Sequence, residues 1–263
     1  MAKYTKHSRD FDFATLTELA LEANSIPDDD NYSHMDDNSY YGGNWTNNSR
    51  WNDLITKCYY GDTSLVAKAE EFISKLSVKI ETPEAEWTTE QVGWFPSVPD
   101  HIAGVPEDMR KRKFVTSEQS PVKIWVDCTT SSGISASDML ARGTAILALV
   151  LKLQRFRPVE LIQCCLYTDK CLTIRHATRP MCLATLAYAL TNVGFTRRVL
   201  YHAIQPLDGG RVNYSEYEMR KRLASRGVKP QDVCIPGVLL GDALIKDGLG
   251  WVQNKLNELT KRK

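Results

Sequence analysis

What this sequence lacks narrows it first. No apolar run approaches the roughly 20 residues of a membrane-spanning helix; the longest are Ala145–Leu151 and Met181–Leu190, the second broken by Thr185. The amino terminus, Met-Ala-Lys-Tyr-Thr-Lys, has no apolar secretory core, so the expectation is a cytoplasmic protein without membrane contact. Nucleophile elbow, P-loop, dinucleotide glycine pattern and kinase signature are all missing, and the reading is therefore a non-enzyme that requires no cofactor. Cys-x-x-Cys pairs are missing too. Cysteines 58, 128, 164, 165, 171, 182 and 234 are odd in number and lie mostly in apolar segments, which suits reduced thiols. Cys164, Cys165, Cys171 and His176 lack zinc-ligand spacing, and neighbours such as 164 and 165 point to opposite faces of a strand, so they read as core. Disorder is excluded by 43% apolar and 25% charged residues.

Net charge is also nearly absent, +1 over 263 residues, but only by cancellation. Residues 1–140 hold 13 Lys+Arg against 23 Asp+Glu, whereas residues 141–263 hold 20 against 9. Such a split points either to a polyanion partner or to two regions that neutralise each other.

Helical spacing places Leu16, Leu19, Ala20 and Ala23 on one face, then Trp51, Leu54, Ile55 and Cys58, then Leu65, Val66, Ala69, Phe72, Ile73 and Leu76. Between the first two lies a polar, aspartate-rich loop at 28–50, and 83–121 is a proline-rich connection holding Trp87, Trp94 and Phe95. From 121 onward strands alternate with helices. Strands are expected at 122–126, 159–167, 171–174, 198–204 and 233–240, and helices at 137–154, 181–192, 216–225 and 243–259. The fold class is α/β, a mainly parallel sheet flanked by helices and Rossmann-like in its layering, over residues 121–263. A helical, loop-rich amino-terminal region occupies 1–120.

The first strand of the α/β part ends in Asp127-Cys-Thr129-Thr-Ser131-Ser-Gly133. Ligands of open α/β sheets sit at the carboxyl ends of the strands, and a carboxylate with hydroxyls two and four residues on gathers three hard oxygens suited to Mg²⁺. The same residues also suit a cap for the helix that follows. Asp-x-Thr-x-Ser after a buried strand, then a helix and a two-stranded excursion, resembles a von Willebrand factor A domain with its metal-ion-dependent adhesion site. That resemblance implies Mg²⁺ on Asp127, Thr129 and Ser131, a threonine from a later loop at Thr178, and an aspartate at Asp242, with Asp208 as its rival. It implies a protein-interaction module whose metal takes a partner carboxylate.

A second resemblance rests on Trp51-Asn-Asp-Leu-Ile with Tyr60-Gly-Asp, His101-Ile-Ala-Gly-Val-Pro-Glu-Asp-Met109 and Arg142-Gly-Thr-Ala-Ile-Leu-Ala-Leu149. These look like a family widespread in tailed phages, among them the single-stranded-DNA-binding activators of lytic podoviruses. The implied partners are single-stranded DNA and a phage RNA polymerase, in the cytoplasm of an infected bacterial host. The basic half agrees in chemistry. Arg197, Arg198, Arg211, Arg220, Lys221, Arg222 and Arg226 interleave with Tyr214 and Tyr217, and single-strand binders need cations along the backbone and rings for bases to stack on. A charged helix such as 216–225 is equally read as a solvated face. A further basic run, Arg110-Lys-Arg-Lys113, lies in the acidic half.

Overall fold

The computed structural model describes residues 10–27, 35, 46, 49–75, 86–90, 95–106, 109–113, 121–154, 158–167, 170–176, 182–204, 215–239 and 241–261. The chain begins with β1 (Asp10–Phe13), α1 (Leu16–Ser25), α2 (Trp51–Tyr60) and α3 (Thr63–Ser74). Then come β2 (Glu86–Glu90), β3 (Phe95–Pro96), α4 (Val98–Ile102) and β4 (Met109–Lys113). The α/β part holds β5 (Val122–Asp127), α5 (Ala136–Leu153), β6 (Val159–Tyr167), β7 (Lys170–His176), α6 (Leu183–Thr191) and α7 (Tyr201–Ile204). It closes with α8 (Glu216–Leu223), β8 (Val233–Ile235), α9 (Ala243–Lys246) and α10 (Gly248–Lys261).

The main sheet has the order β1-β7-β6-β5-β8, parallel at every pairing except the β6/β7 hairpin. This is the α/β class and mainly parallel sheet that the alternation of elements predicts. Side-chain alternation divides the strands between two layers. Ile124, Val126, Leu161, Cys165, Leu172 and Ile174 face a large core shared with α1, α2, α5, α6 and α10. Trp125, Ile162, Cys164 and Leu166 face the other way, against Met219 and Leu223 of α8. Cys164 and Cys165 therefore do point to opposite faces. Helix α5 is buried nearly all round, and its contact with α6 is so close that a Cβ on Gly143 would lie 2.3 Å from the Leu190 carbonyl oxygen.

Four expectations change. The amino-terminal region expected as a separate helical, loop-rich unit joins the sheet: β1 pairs in parallel with β7 at the sheet edge, and residues of α1 and α2 share the main core. The core thus runs across the boundary expected at 120/121. The proline-rich connection contains a three-stranded antiparallel sheet, β2-β4-β3, whose central strand is the basic run Arg110–Lys113 with Met109. Residues 198–204 are helical, a π-helical turn Phe195–Leu200 leading into α7. Every residue from 195 to 204 is buried, so no exposed face was left to reveal the period. Strand β8 stops at Ile235 because Pro236 follows and lacks the N–H that would extend the ladder. Most of the expected 28–50 loop lies outside the described residues.

Candidate functional site: a closed carboxylate–arginine centre beyond β5

Strand β5 delivers Asp127 to the carboxyl edge of the sheet, as its sequence position implies. The loop beyond it is stitched to the segment after β8: Val238 donates its N–H to Thr129 O at 2.8 Å, and Ser131 returns one to Val238 O at 3.0 Å. Helix α5 then starts from Ser135, which forms a capping box with Asp138. Ser135, not Asp127, is the cap.

Asp127 is fully buried. Its Oδ1 accepts the N–H of Thr129 at 3.0 Å and of Leu166 at 3.3 Å, while Oδ2 has no hydrogen-bond partner. The hydroxyls of Thr129 and Thr130, both buried, also lack a partner. One cation enters this nest. Arg142, 1% exposed on α5, donates from Nη2 to the carbonyl oxygens of Asp127 at 3.2 Å and Pro236 at 2.6 Å. Its Nε lies 3.8 Å from Oδ2 of Asp242, whose Oδ1 accepts the N–H of Leu244 at the start of α9. Burial pushes the Asp127 carboxyl up to about 6. The N–H groups of Thr129 and Leu166 and the Arg142 charge hold it from rising further. Around the rim, Arg197 donates to the carbonyls of Ser131 and Ile134 at 3.0 and 2.6 Å.

Of the five expected metal ligands, the fold brings Asp127, Thr129, Ser131 and Asp242 to one end of the sheet, and Thr178 lies outside the described residues. As arranged, these groups do not fit a hydrated Mg²⁺. That ion keeps several waters, yet Asp127 and Thr129 are sealed from solvent. Asp242 spends one oxygen on α9, and a guanidinium already stands between the two carboxylate-bearing loops. Among the described residues no group of three His, Cys, Asp or Glu side chains forms a metal cluster. Arg142 is the residue that sequence reasoning missed as a site member. Its signal was a cation two turns into a mostly apolar helix, which burial tolerates only when carbonyls or carboxylates receive it.

The expected nucleic-acid residues divide sharply. Arg197 and Arg198 are buried, at 3% and 0% exposure, which corrects their placement on an outer surface. Arg198 donates to the Ser49 carbonyl and lies over the Trp51 ring at 5.8 Å, so it ties α2 to the π-helical turn. Arg226 pairs with Asp12 and reaches the Thr173 hydroxyl at 3.2 Å, a direct neutralisation of the amino-terminal part by the basic part. Arg220 spends its guanidinium on Glu216 and on the carbonyls of Lys229 and Asp232. Tyr217 is 73% exposed, Lys221 is exposed and Arg222 is half-buried. Arg211 and Tyr214 lie outside the described residues. Beside α8 runs an open groove of about 570 Å³, in which Arg220, Lys229 and Lys255 alternate with Glu216, Asp232 and Glu258.

Fold and site together define a mixed α/β sheet protein whose strand-end centre is closed around an internal arginine. The chain belongs to a family described as a domain of unknown function (DUF7192), whose model matches residues 8–217. That match starts before β1 and ends inside α8, so the family unit includes the amino-terminal strand and helices. No curated protein and no solved structure matches the chain.

Proposed function

We propose that this is a phage-encoded protein that binds single-stranded DNA and recruits or activates a phage RNA polymerase, without catalysing a reaction itself. The observation that carries the reading is the outer face of α8. Its inner residues Met219 and Leu223 are buried against the sheet, so the helix is held rigidly. Its outer face presents the Tyr217 ring, with Lys221 one turn later on the same side. A rigid, exposed ring next to an ammonium is the unit on which a base stacks while its phosphate is neutralised. Arg211 and Tyr214 precede this helix in the sequence and add one cation and one ring of the same chemistry. The likeness of the quoted sequence stretches to a tailed-phage family, with such activators taken as members, is what suggests the polymerase as partner.

Fluorescence anisotropy with a labelled oligonucleotide tests the reading. Binding should weaken linearly in log affinity against log salt, with a slope of about −0.7 per phosphate neutralised. Absence of binding at low ionic strength removes the proposal.

A further inference from the structure

The turn between β3 and β4 projects a folded apolar tip. Pro96 and Met109 face each other across the ladder, so the small sheet fixes both ends of the connection. Ser97 is buried, and its carbonyl accepts the His101 N–H at 2.9 Å as α4 begins. The chain then folds back on itself. Ala103 donates its N–H to Pro99 O at 3.0 Å, Gly104 to His101 O at 3.1 Å and Val105 to Asp100 O at 3.0 Å. Gly104 turns at φ 70°, and a Cβ on it would meet nothing within 4 Å. These bonds hold the turn in one shape while it stands in solvent.

Its outer surface is apolar. Val98 and Ile102 lie one helical turn apart on α4, at 62% and 80% exposure, and Val105 is 42% exposed. Pro99, Ala103 and Pro106 beside them are exposed as well. The other large apolar side chains that are exposed among the described residues, Leu21, Tyr60, Tyr217 and Leu239, lie singly in separate parts of the chain, which is ordinary for a protein surface. A cluster on a pre-folded turn marks an interaction site.

Charge decides what can cover it. From residue 80 to residue 109 the chain has seven Asp and Glu and no Lys or Arg. Asp100 lies within the turn, Glu107 and Asp108 follow it in sequence, and the cations of β4 begin only at Arg110. Nucleic acid and anionic lipid are repelled by such a tip. Its complement is a protein pocket with an apolar floor and a rim of Lys or Arg.

We propose that this turn is the surface through which the protein docks on the RNA polymerase, with Val98, Ile102 and Val105 entering an apolar pocket whose basic rim receives Asp100. The inference rests on the polymerase reading above and adds the contact surface to it. An enzyme that must attract nucleic acid carries Lys and Arg on its surface, so it can supply such a rim. DNA on α8 and polymerase on the turn use different elements, which lets one molecule bridge the two.

Biolayer interferometry on immobilised, purified phage RNA polymerase, with oligonucleotide anisotropy on the same preparations, tests the proposal. Val98→Ser and Ile102→Ser should each weaken polymerase binding about tenfold or more. Both should keep the thermal midpoint, since the side chains stand in solvent, and keep the DNA affinity. Leu21→Ser, which removes an exposed apolar side chain elsewhere, should change neither binding. Polymerase bound equally by wild type and both turn variants overturns the inference and leaves the polymerase reading standing. No polymerase binding by the wild type removes both. Loss of the polymerase by the turn variants, with no protein binding DNA, upholds the inference and removes the DNA reading. An equal loss in Leu21→Ser overturns it. A dimer in sedimentation velocity that Ile102→Ser dissolves, or capture of phosphatidylglycerol vesicles through the same residues, assigns the turn to a second copy or to lipid and also overturns it.

Discussion

Replacing Asp127 with asparagine should make the protein more stable at neutral pH, and the amount follows from the structure. A carboxyl whose folded value is about 6 instead of 3.8 binds its proton more tightly in the folded state. Between those two values the folded chain carries more protons than the unfolded one, so stability falls as pH rises through that window. Below it nothing is lost; above it the cost is constant. At about 1.4 kcal/mol per pH unit the full cost is about 3 kcal/mol. Asparagine keeps an oxygen for the N–H groups of Thr129 and Leu166 and removes the charge from a carboxyl whose Oδ2 has no hydrogen-bond partner. Urea unfolding of both proteins at about pH 4 and about pH 8 measures the difference. The two should be close in acid, and Asp127→Asn should be more stable by up to about 3 kcal/mol at the higher pH. His176, lowered to about 4, works in the opposite direction over nearly the same range, so only the difference between the two proteins isolates Asp127. An asparagine variant that is less stable at about pH 8, or a difference that does not change with pH, refutes the reasoning.

Arg142→Ala removes two charge-assisted hydrogen bonds and strands a buried carboxylate, so chemical denaturation should show a loss of about 3–5 kcal/mol. Chelation with EDTA should leave the thermal midpoint of the wild-type protein unchanged, because the centre between β5 and β8 is held by a guanidinium; a clear drop would contradict this. Trp125→Phe leaves Asp232, buried at 5% exposure, without the indole N–H at 3.1 Å, and should cost about 1–3 kcal/mol in the same assay. Gly143→Ala places a methyl against Leu190 and should destabilise through the α5/α6 contact, with a lower urea midpoint and an unchanged slope.

Much of the sheet was legible because its signals are local. Val122–Val126 and Val159–Tyr167 are apolar runs bounded by turn residues, and the long α5 follows a Ser/Asp capping pair. The position of Asp127 at a strand end was legible for the same reason. Its closure was not, since that depends on Arg142 reaching the Pro236 carbonyl from a different element. Residues 10–13, Asp-Phe-Asp-Phe, alternate over too short a stretch to declare a strand, and their pairing with β7 is a contact between distant parts of the chain. Arg197 and Arg198 read as surface cations because charge normally stays in water. Here loop carbonyls of Ser131, Ile134 and Ser49 receive them, a satisfaction that appears only once the loops are folded. The −10/+11 charge division is in part an internal pairing, seen in Arg226 with Asp12, and in part the exposed cation of α8.

The most direct test of the account is the affinity of wild-type and Tyr217→Ala protein for a single-stranded oligonucleotide at low salt. With stacking worth about 1–3 kcal/mol per base, loss of the ring should weaken binding about 5- to 150-fold while the fold and the salt slope persist. Equal affinity of the two proteins, or no binding by either, contradicts the claim that α8 presents a single-strand-binding face.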